Sequence, residues 1–475
     1  MATPTFFPLI HNEWVKTYKS NKIKNPYSGE TIAKVYMAEG DFLDMAIESA
    51  QQGFYLSRNL SGYERYELLM KIVAGIRKRE KELAETIVRE SGKPIRFAGN
   101  EVSRAQLTFT WAAEEARRLG GELLPLDVAP QTQGYFGITR RFPLGVVLGI
   151  SPFNFPLNLV AHKIAPAIAS GNAIILKPAS QTPLTALKLG EILKDAGVPA
   201  GMVNIITTPG KNAEELVRDG RIKKLTFTGS AQVGWYLKSQ AGKKRVTLEL
   251  GGNAAAIVEP DSDLETIVPR LVLGAFAYAG QVCISVQRIY VQEEIFDSFV
   301  QRFGDEMVRS ARFGDPFDEK VMVGPMIDLA AAKRAESWIR EAVQAGAEVL
   351  IGGSRKKNML EPTLLTKTSP YMKVVCEEVF APIVVVEPYS KFSDAIKMVN
   401  NSYYGLQAGI FTNDFSKIQQ AFNKLDVGGV VVNDYPTFRI DPMPYGGIKD
   451  SGFGREGIRY AIEEMTELKL LAIKG

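Results

Sequence analysis

The sequence predicts an α/β fold with an N-terminal group of helices and two successive sets of alternating strands and helices. From Gly145 onward, apolar runs of strand length such as GVVLGI, AIILKP and KLTFTG are separated by helix-like segments such as TALKLGEILKDAG. This alternation is typical of βαβ units and a parallel sheet. A second alternating set begins after Gly252, with strands such as IVVVEPY and GGVVVND, so a second α/β sheet is expected.

The helical group lies between Asp41 and Arg118. Its apolar residues recur at three- and four-residue spacing, as in Leu69, Ile72 and Ile76, with charged residues on the other side. We therefore expect amphipathic helices that pack on one core.

Two segments are predicted to be strands outside either sheet. They are Leu126 to Arg141, with Pro130 and Gly134 near its middle, and Thr466 to Ile473. Because an exposed edge strand invites pairing, each could be an arm that pairs with another subunit.

Composition excludes several classes of protein. With 475 residues and 45% hydrophobic content the chain can bury a large core, and its formal charge of +4 gives no indication of a nucleic-acid partner. Two cysteines without a CxxC pair and two histidines predict neither a disulfide framework nor a metal site. A reducing compartment, the cytoplasm, is expected.

No membrane segment is expected either. Met1 to Trp14 lacks the basic region and clean apolar run of a signal peptide. Residues 142–161 are uncharged and long enough to span a bilayer, but prolines and asparagines interrupt them. We interpret that stretch as buried strand, loop and helix.

Cys283 is the candidate nucleophile. A bare cysteine is more often an inert small hydrophobe, and that interpretation is kept for Cys376. Cys283 differs because it lies in AYAGQVCISVQR, where Gly280 indicates a close approach of the backbone just ahead of a strand. A thioester route would also need a base, a donor for the oxyanion and a place for an electron acceptor.

Glu249 and Asn154 are candidates for the base and the donor. Glu249 lies inside the apolar strand VTLELGGN, where an unpaired carboxylate is costly, so it is either a structural ion-pair partner or a base. Asn154 lies between two prolines in ISPFNFPLN, which leaves few backbone donors nearby. Its side chain is either a fixed donor or only a turn former.

A strand, a turn and a helix in KLTFTGSAQVG could hold the acceptor. Gly229 and Ser230 follow the strand, and the helix is predicted to begin near Ala231 with Gly234 on its first turn. Backbone amides at a helix start suit a pyrophosphate, although this is not a GxGxxG motif. Lys177, at the preceding βα turn, could reach the ribose or merely lie at a strand end in solvent.

Taken together, several motifs occur in an order that resembles the aldehyde dehydrogenase superfamily over nearly the whole chain. They are SPFNFP, KPASQTP, FTGSAQVG, VTLELGGN, AGQVC, EEVFAP and PYGGIKDSGFGREG. The resemblance implies that Cys283 attacks an aldehyde and that Asn154 and the Cys283 N–H hold the oxyanion. It also implies that Glu249 activates the water that hydrolyses the thioester.

The resemblance further implies NAD(P) as the cofactor. The matching residues are Ser151, Pro152, Phe153, Lys177, Ser180, Gly229, Ser230, Gly234, Glu378 and Phe380. Many NAD-specific relatives carry a carboxylate where this chain has Ser180. The absence of that carboxylate predicts that NADP is accepted, and whether NAD is also used stays open. Asn253 and Ala381 also depart from the family pattern, but neither removes a catalytic atom.

The implied fold has three parts. A Rossmann-like NAD(P)-binding domain covers residues 1–122 and 143–251, and an α/β catalytic domain covers residues 252–449. A small β oligomerisation arm covers residues 123–142 and 450–475. The implied partners are a small aldehyde and further copies of this chain, as a homodimer or a homotetramer.

The sequence indicates less about which substrate is recognised. Phe155, Val282 and Ile284 match positions that line an apolar substrate tunnel, and the loop from Tyr435 to Arg439 is expected near its mouth. Aliphatic or semialdehyde-type aldehydes would fit. Arg439 and His162 are candidates for binding an anionic tail, and a surface ion pair is the alternative role for Arg439.

Two rival functions stay open at this point. One is a coenzyme A-acylating dehydrogenase, or a reductase that runs the thioester chemistry backwards; Glu249 favours hydrolysis instead. The other is a catalytically silent member kept as a binding protein. The presence of Cys283, Asn154 and Glu249 speaks against it.

Overall fold

The computed structural model describes residues 3–475. Met1 and Ala2 lie outside the described residues. Both the segment Met1 to Trp14, in which no signal peptide is expected, and the first predicted domain begin with them. The helices, numbered along the chain, are α1 Asp41–Ser57, α2 Gly62–Lys78, α3 Glu80–Ser91, α4 Ile95–Ala116, α5 Asn158–Ser170, α6 Leu184–Asp195, α7 Ala213–Arg218, α8 Ala231–Gln240, α9 Leu264–Phe276, α10 Phe296–Ser310, α11 Leu329–Gln344, α12 Lys373–Cys376, α13 Phe392–Asn400, α14 Phe415–Lys424 and α15 Ile458–Glu464.

The first large sheet has eight strands. Its strands, also numbered along the chain, are β2 Leu9–Ile10, β3 Glu13–Trp14, β8 Val146–Ile150, β9 Ala173–Lys177, β10 Val203–Ile205, β11 Ile222–Thr228, β12 Arg245–Glu249 and β24 Gly452–Phe453. They lie in the order β24-β12-β11-β8-β9-β10-β2-β3. The five central strands from β12 to β10 are parallel to one another, and β24 and β2 pair antiparallel at their two sides. This confirms the first predicted βαβ set.

The second large sheet has seven strands. They are β13 Ala255–Val258, β14 Arg288–Gln292, β15 Glu348–Ile351, β18 Thr363–Thr366, β19 Ile383–Tyr389, β21 Gln407–Phe411 and β22 Gly429–Val432. All pairings are parallel except that of β15 with β18. The strand expected just after Cys283 begins only at Arg288, because Ser285 is held by hydrogen bonds from its hydroxyl to the carbonyls of Gly274 and Ala275 near the end of α9.

A third, small sheet lies apart from both large ones. It consists of β6 Leu123–Pro125, β7 Tyr135–Pro143 and β25 Thr466–Lys474 in the order β25-β7-β6. The predicted strand from Leu126 to Arg141 was too long, because Pro130 opens a short 3-10 turn and Gly134 has a φ of +80°. Only the end of segment 450–475 joins this sheet, since β24 belongs to the first. The domain boundaries therefore stay a prediction.

Strand β25 forms one edge of the small sheet. Leu468, Leu470 and Leu471 on it are exposed. Pairing of this edge with a second copy of the chain stays a prediction, which the molar mass of the protein in solution tests.

The remaining strands are short. They are β1 Thr5–Phe6, β4 Lys19–Lys24 and β5 Thr31–Met37 in one sheet, β16 Arg355–Lys356 with β17 Met359–Leu360, and β20 Tyr404–Gly405 with β23 Ile448–Lys449. Residues 142–161 form the end of β7, the buried strand β8, a loop and the start of α5, as interpreted from the sequence. Across residues 3–475, no helix has both the length and the apolar character needed to cross a membrane.

The topology of the first sheet positions the site. Strands β8, β11 and β12 are adjacent and parallel, so their carboxyl ends meet at one edge. Asn154 follows β8, Gly229 follows β11, and Glu249 ends β12. Helices α2, α4 and α5 form a continuous apolar core behind these strands and hold them in place.

Candidate active site

A cavity of about 490 Å³ opens at this edge, between the two large sheets. The residues predicted from sequence that line it are Pro152, Phe153, Asn154, Gly229, Ser230, Glu249, Cys283, Glu378 and Phe380. Ser151, Lys177, Ser180, Gly234, Phe155, Val282, Ile284 and Arg439 lie outside that lining. Five separate motifs thus converge on the candidate nucleophile.

The turn before Cys283 has an unusual backbone. Tyr278, Ala279 and Gly280 all have positive φ, at 53°, 56° and 64°. A Cβ on Gly280 would lie 2.3 Å from the carbonyl oxygen of Ala381, so only glycine fits there. Strained backbone of this kind persists where the surroundings fix it, and it is common at functional sites.

Gln281 anchors the same turn. Its side-chain amide donates to the Pro325 carbonyl at 3.2 Å and accepts from the Ile327 amide at 2.9 Å. Both partners belong to the loop that precedes α11, on the other wall of the cavity. The position of Cys283 is therefore fixed from two sides.

The Cys283 thiol is desolvated. Burial raises its pKa to about 11, while a hydrogen bond with Tyr445 and the charge of Arg439 act in the opposite direction. The Sγ atom lies 3.0 Å from the Tyr445 hydroxyl. Sequence reasoning missed Tyr445, although it lies within the quoted motif PYGGIK.

Asn154 crosses from its own loop to the nucleophile turn. Its Nδ2 donates to the Gln281 carbonyl at 2.9 Å, and the side chain is buried. A turn-forming asparagine would instead bond within its own loop. One N–H of Nδ2 is held by Gln281, so the second can donate to another acceptor.

A buried ion pair supports the Asn154 loop. One oxygen of Glu101 accepts the amides of Leu157 and Asn158 at 2.9 and 3.0 Å, and the other pairs with Lys93. The Lys93 ammonium lies 3.6 Å from the centre of the Phe155 ring. These contacts fix the loop on the C-terminal side of Asn154.

Glu249 is buried, and within residues 3–475 neither of its carboxylate oxygens has a hydrogen-bond partner. Burial and the neighbouring Glu456 raise its pKa well above the usual range. Nothing in the contacts of Glu249 supports the structural ion pair that the sequence had left open. The unpaired carboxyl at the inner end of the cavity is consistent with a base.

Glu456 carries the negative charge of this region. Burial alone would raise its pKa, but Lys163 and Arg439 outweigh burial and lower the pKa to about 2. Both cations lie 3.2 Å from its oxygens. The two carboxyls are thus separated in pKa, with that of Glu249 raised and that of Glu456 lowered.

The nucleotide side of the cavity is built from β11, β12 and α8. The N-terminus of α8 has no side-chain cap, so its first amides have free hydrogen-bond capacity. A Cβ on Gly234 would lie 2.4 Å from a Leu250 methyl, so glycine there lets α8 pack closely. An anion can approach this helix end across Gly229 and Ser230.

Glu378 and Phe380 lie at the opposite wall. Glu378 accepts the Gly252 amide at 3.1 Å, and burial raises its pKa to about 7. Phe380 contacts Phe153 edge to face at 5.9 Å between ring centroids. A carboxyl beside an aromatic pair suits a sugar hydroxyl next to a flat ring.

Lys177 does not lie in solvent, so that alternative was wrong. It ends β9 and is buried, and its Nζ makes one hydrogen bond, of 3.4 Å, to the Pro178 carbonyl. Burial lowers its pKa to about 8. Ser180 is exposed three residues further on. An ammonium has three donors, so Lys177 retains capacity for a ligand.

The substrate side lies beyond Cys283. Ile284 and Val282 pack around the nucleophile together with Tyr445. The loop from Tyr435 to Arg439 contacts this turn, since the Thr437 hydroxyl donates to the Ile284 carbonyl at 2.8 Å. The loop therefore lies beside this turn, and its place at the mouth of a substrate tunnel stays a prediction.

Arg439 is not part of a surface ion pair, so that alternative was wrong. Its guanidinium is buried, pairs with Glu456 and stacks on the Tyr445 ring at 3.7 Å. His162 is also buried, 3.1 Å from Asp441, and burial lowers its pKa. The ring nitrogen of His162 faces the Asp441 carboxylate, which disfavours its suggested role in binding an anionic tail.

Arg104, which sequence reasoning missed, lies close to Arg439. Burial lowers the pKa of Arg104, and repulsion from Arg439 lowers it further. Its Nη2 lies 3.6 Å from Asp441. Both Arg104 Nη2 and Arg439 Nε are buried nitrogens without a hydrogen-bond partner.

Known proteins of one family are similar to this chain over nearly its whole length. The sequence profile of the aldehyde dehydrogenase family matches residues 14–471. The 3-sulfolactaldehyde dehydrogenase of Priestia aryabhattai is 43% identical over 465 residues, which cover 98% of this chain and 97% of the relative. A lactaldehyde dehydrogenase of Methanococcus aeolicus is 40% identical over 470 residues, covering 98% and 99%.

Solved structures agree. Aldehyde dehydrogenase 21 from Physcomitrella patens, in complex with its reaction product succinate, has a TM-score of 0.98 and 43% identity, and the match covers 100% of this chain and 99% of that one. A glyceraldehyde-3-phosphate dehydrogenase of Methanocaldococcus jannaschii complexed with NADP has a TM-score of 0.93 and 39% identity, covering 97% of this chain and 100% of that one. A betaine aldehyde dehydrogenase of Staphylococcus aureus in complex with NAD+ has a TM-score of 0.94 and 30% identity, covering 98% and 94%.

Proposed function

The chain belongs to the aldehyde dehydrogenase family, and within it we propose an enzyme that oxidises aldehydes carrying a second, anionic group. The reaction class is NAD(P)-dependent oxidation of an aldehyde. The observation that carries the narrower proposal is that Arg104, which is one-third exposed, and the buried Arg439 each keep one buried guanidinium nitrogen without a hydrogen-bond partner among the described residues.

We assign the chemistry to three residues. The Cys283 thiolate adds to the aldehyde carbon, and the resulting oxyanion accepts the free N–H of Asn154 and the backbone N–H of Cys283. Loss of hydride leaves a thioester on Cys283. Glu249 then takes a proton from the water that attacks the thioester, and the carboxylic acid leaves.

The cavity suits a nicotinamide dinucleotide, which accepts the hydride when bound. The uncapped amides at the start of α8 fit its pyrophosphate, and Glu378 fits a ribose hydroxyl. Phe153 and Phe380 offer an apolar wall for a ring. The rest of the chemistry belongs to side chains of this chain.

Because each guanidinium keeps one nitrogen free of a hydrogen bond, an anion that reaches both would gain two charged hydrogen bonds. Arg439 stacks on the ring of Tyr445, whose hydroxyl contacts Cys283 Sγ, so this cation lies near the reacting sulfur. An aldehyde whose second group is a carboxylate, sulfonate or phosphate could occupy both ends of this tunnel.

The names of the relatives support this class of substrate. One names a sulfonated aldehyde, and one structure holds succinate, the product expected from succinic semialdehyde. Lactaldehyde, named by another relative, has no anionic group and is the alternative. The test therefore compares succinic semialdehyde with butanal and lactaldehyde.

We expect the protein to prefer succinic semialdehyde over butanal, its uncharged four-carbon counterpart. Arg104→Gln should lower this preference, measured as a ratio of kcat/KM values, by about 10- to 100-fold, because it removes a charged hydrogen-bond donor. Arg96→Gln, on the exposed side of α4, is the matched control. Equal preference in wild type and Arg104→Gln would reject the role of the tunnel, and faster turnover of lactaldehyde would favour the alternative.

We further propose that NADP is accepted at Lys177 and Ser180. Ser180→Glu should raise KM for NADP about 10- to 100-fold and leave KM for NAD nearly unchanged, because a carboxylate there repels the 2′-phosphate. Ser180→Gln has the same size without the charge and serves as the control. An unchanged ratio of NADP to NAD efficiency in Ser180→Glu would refute this assignment.

A further inference from the structure

The hydroxyl of Tyr445 has an unusual environment. The side chain is buried, and among the described residues the only hydrogen-bond partner of its oxygen is Cys283 Sγ, at 3.0 Å. A buried hydroxyl without a partner is unfavourable, so this contact is the one that satisfies it.

A backbone bridge, an ion pair and a cation–π contact position Tyr445. Its backbone N–H and C=O pair with those of Glu456 at 3.0 and 2.7 Å. The Glu456 carboxylate binds Arg439 at 3.2 Å, and the Arg439 guanidinium lies 3.7 Å from the centre of the Tyr445 ring. The hydroxyl is thus aimed at the sulfur by a closed set of contacts.

We propose that Tyr445 is a further catalytic residue, whose hydroxyl donates a hydrogen bond to the Cys283 sulfur and so favours its thiolate. When the thiol ionises, the S–H electron pair stays on sulfur and the proton passes to solvent. The Tyr445 O–H bond stays intact and donates to the new lone pair. The thiolate then adds to the aldehyde carbon as described above.

The direction of donation follows from the chemistry of the two groups. A phenol O–H is a stronger donor than a thiol S–H, and a thiolate is a much stronger acceptor than a phenol oxygen. Burial and the neighbouring sulfur raise the pKa of Tyr445 well above its usual value, so the phenol keeps its proton while the thiol ionises.

Packing alone does not account for the hydroxyl. The ring lies against Ile284 and Leu406, and a phenylalanine would make the same apolar contacts. Tyr445→Phe therefore removes the proposed hydrogen bond and keeps the shape of the site.

The direct test is the rate of alkylation by iodoacetamide as a function of pH, in a Cys376→Ala background that leaves one thiol. Tyr445→Phe should move the profile to higher pH and react about 10- to 100-fold more slowly at pH 8, because a hydrogen bond to a charged group is lost. Tyr290→Phe is the control, since its buried hydroxyl bonds Arg288 away from the cavity. Profiles that coincide for Tyr445→Phe and wild type would overturn the proposal.

A second measurement separates this role from substrate binding. The inference rests on Cys283 being the nucleophile, but not on an anionic tail. Tyr445→Phe should therefore lower kcat/KM for succinic semialdehyde and for butanal by the same factor. A loss confined to succinic semialdehyde would make Tyr445 a tail contact and contradict the proposal, whereas equal efficiency with the two aldehydes in wild type would reject only the anionic substrate class.

Discussion

Replacing Cys283 by alanine is expected to abolish aldehyde oxidation, with a fall in turnover of about 10⁴-fold or more. The thioester cannot form without the sulfur, and no other thiol of the chain lines the cavity. The measurement is the formation of reduced cofactor with succinic semialdehyde and NADP.

The second cysteine offers a matched control. Cys376 is half-exposed at the end of α12, where its sulfur faces the Tyr371 carbonyl at 3.7 Å. Cys376→Ala should retain full activity. Turnover retained in Cys283→Ala would remove Cys283 from the mechanism, and loss of activity in Cys376→Ala would show that the loss is not specific to Cys283.

Glu249→Gln is expected to separate the two halves of the reaction. The first half should still give a rapid burst of about one reduced cofactor per site, because Glu249 is assigned only to hydrolysis. Steady turnover should fall about 10²- to 10⁴-fold, the usual contribution of a general base. Stopped-flow absorbance of the reduced cofactor measures both phases.

The raised pKa of Glu249 adds a pH signature to this experiment. Only the ionised carboxylate can accept a proton from water, so steady turnover of the wild type should rise with pH as Glu249 ionises. Glu249→Gln should lack this rise. Glu387→Gln, remote on β19, is the control carboxyl. Undiminished steady turnover in Glu249→Gln would exclude Glu249 as the base.

Much of the architecture was readable from local patterns. Strands β8 and β11 end before Asn154 and Gly229, and β12 ends at Glu249. All three are short apolar runs bounded by glycine or proline, and such runs specify buried parallel strands. Once these strands are adjacent, their carboxyl ends must meet. The helix start at Ala231 and the close approach at Gly280 also followed from glycine positions.

The partners of the charged residues in the site could not be predicted from local sequence patterns. Lys163 lies in LVAHKIAPAIAS, where one charge on an apolar helix gives no indication of its partner. Arg104 lies on α4 among charged residues that face solvent. Their partners, Glu456 and Asp441, come from the far end of the chain, so only tertiary packing brings them together.

Tyr445 and Glu456 are a different case, because the sequence displayed both within PYGGIKDSGFGREG. Their role depends on the backbone bridge between them, which aims one side chain at Cys283 and places the other beside Glu249. The spacing of the motif does not reveal that bridge. A tyrosine in a motif next to glycines is ordinarily a packing residue.

The central claim is an acyl group on Cys283 that Glu249 helps to release. Intact-mass spectrometry of Glu249→Gln, after mixing with succinic semialdehyde and NADP, tests it most directly. We predict a mass increase of one succinyl group, located by peptide mapping on the segment that contains Cys283 and absent when NADP is omitted. A burst of reduced cofactor with unmodified Cys283, or an acyl group on another residue, would contradict the account.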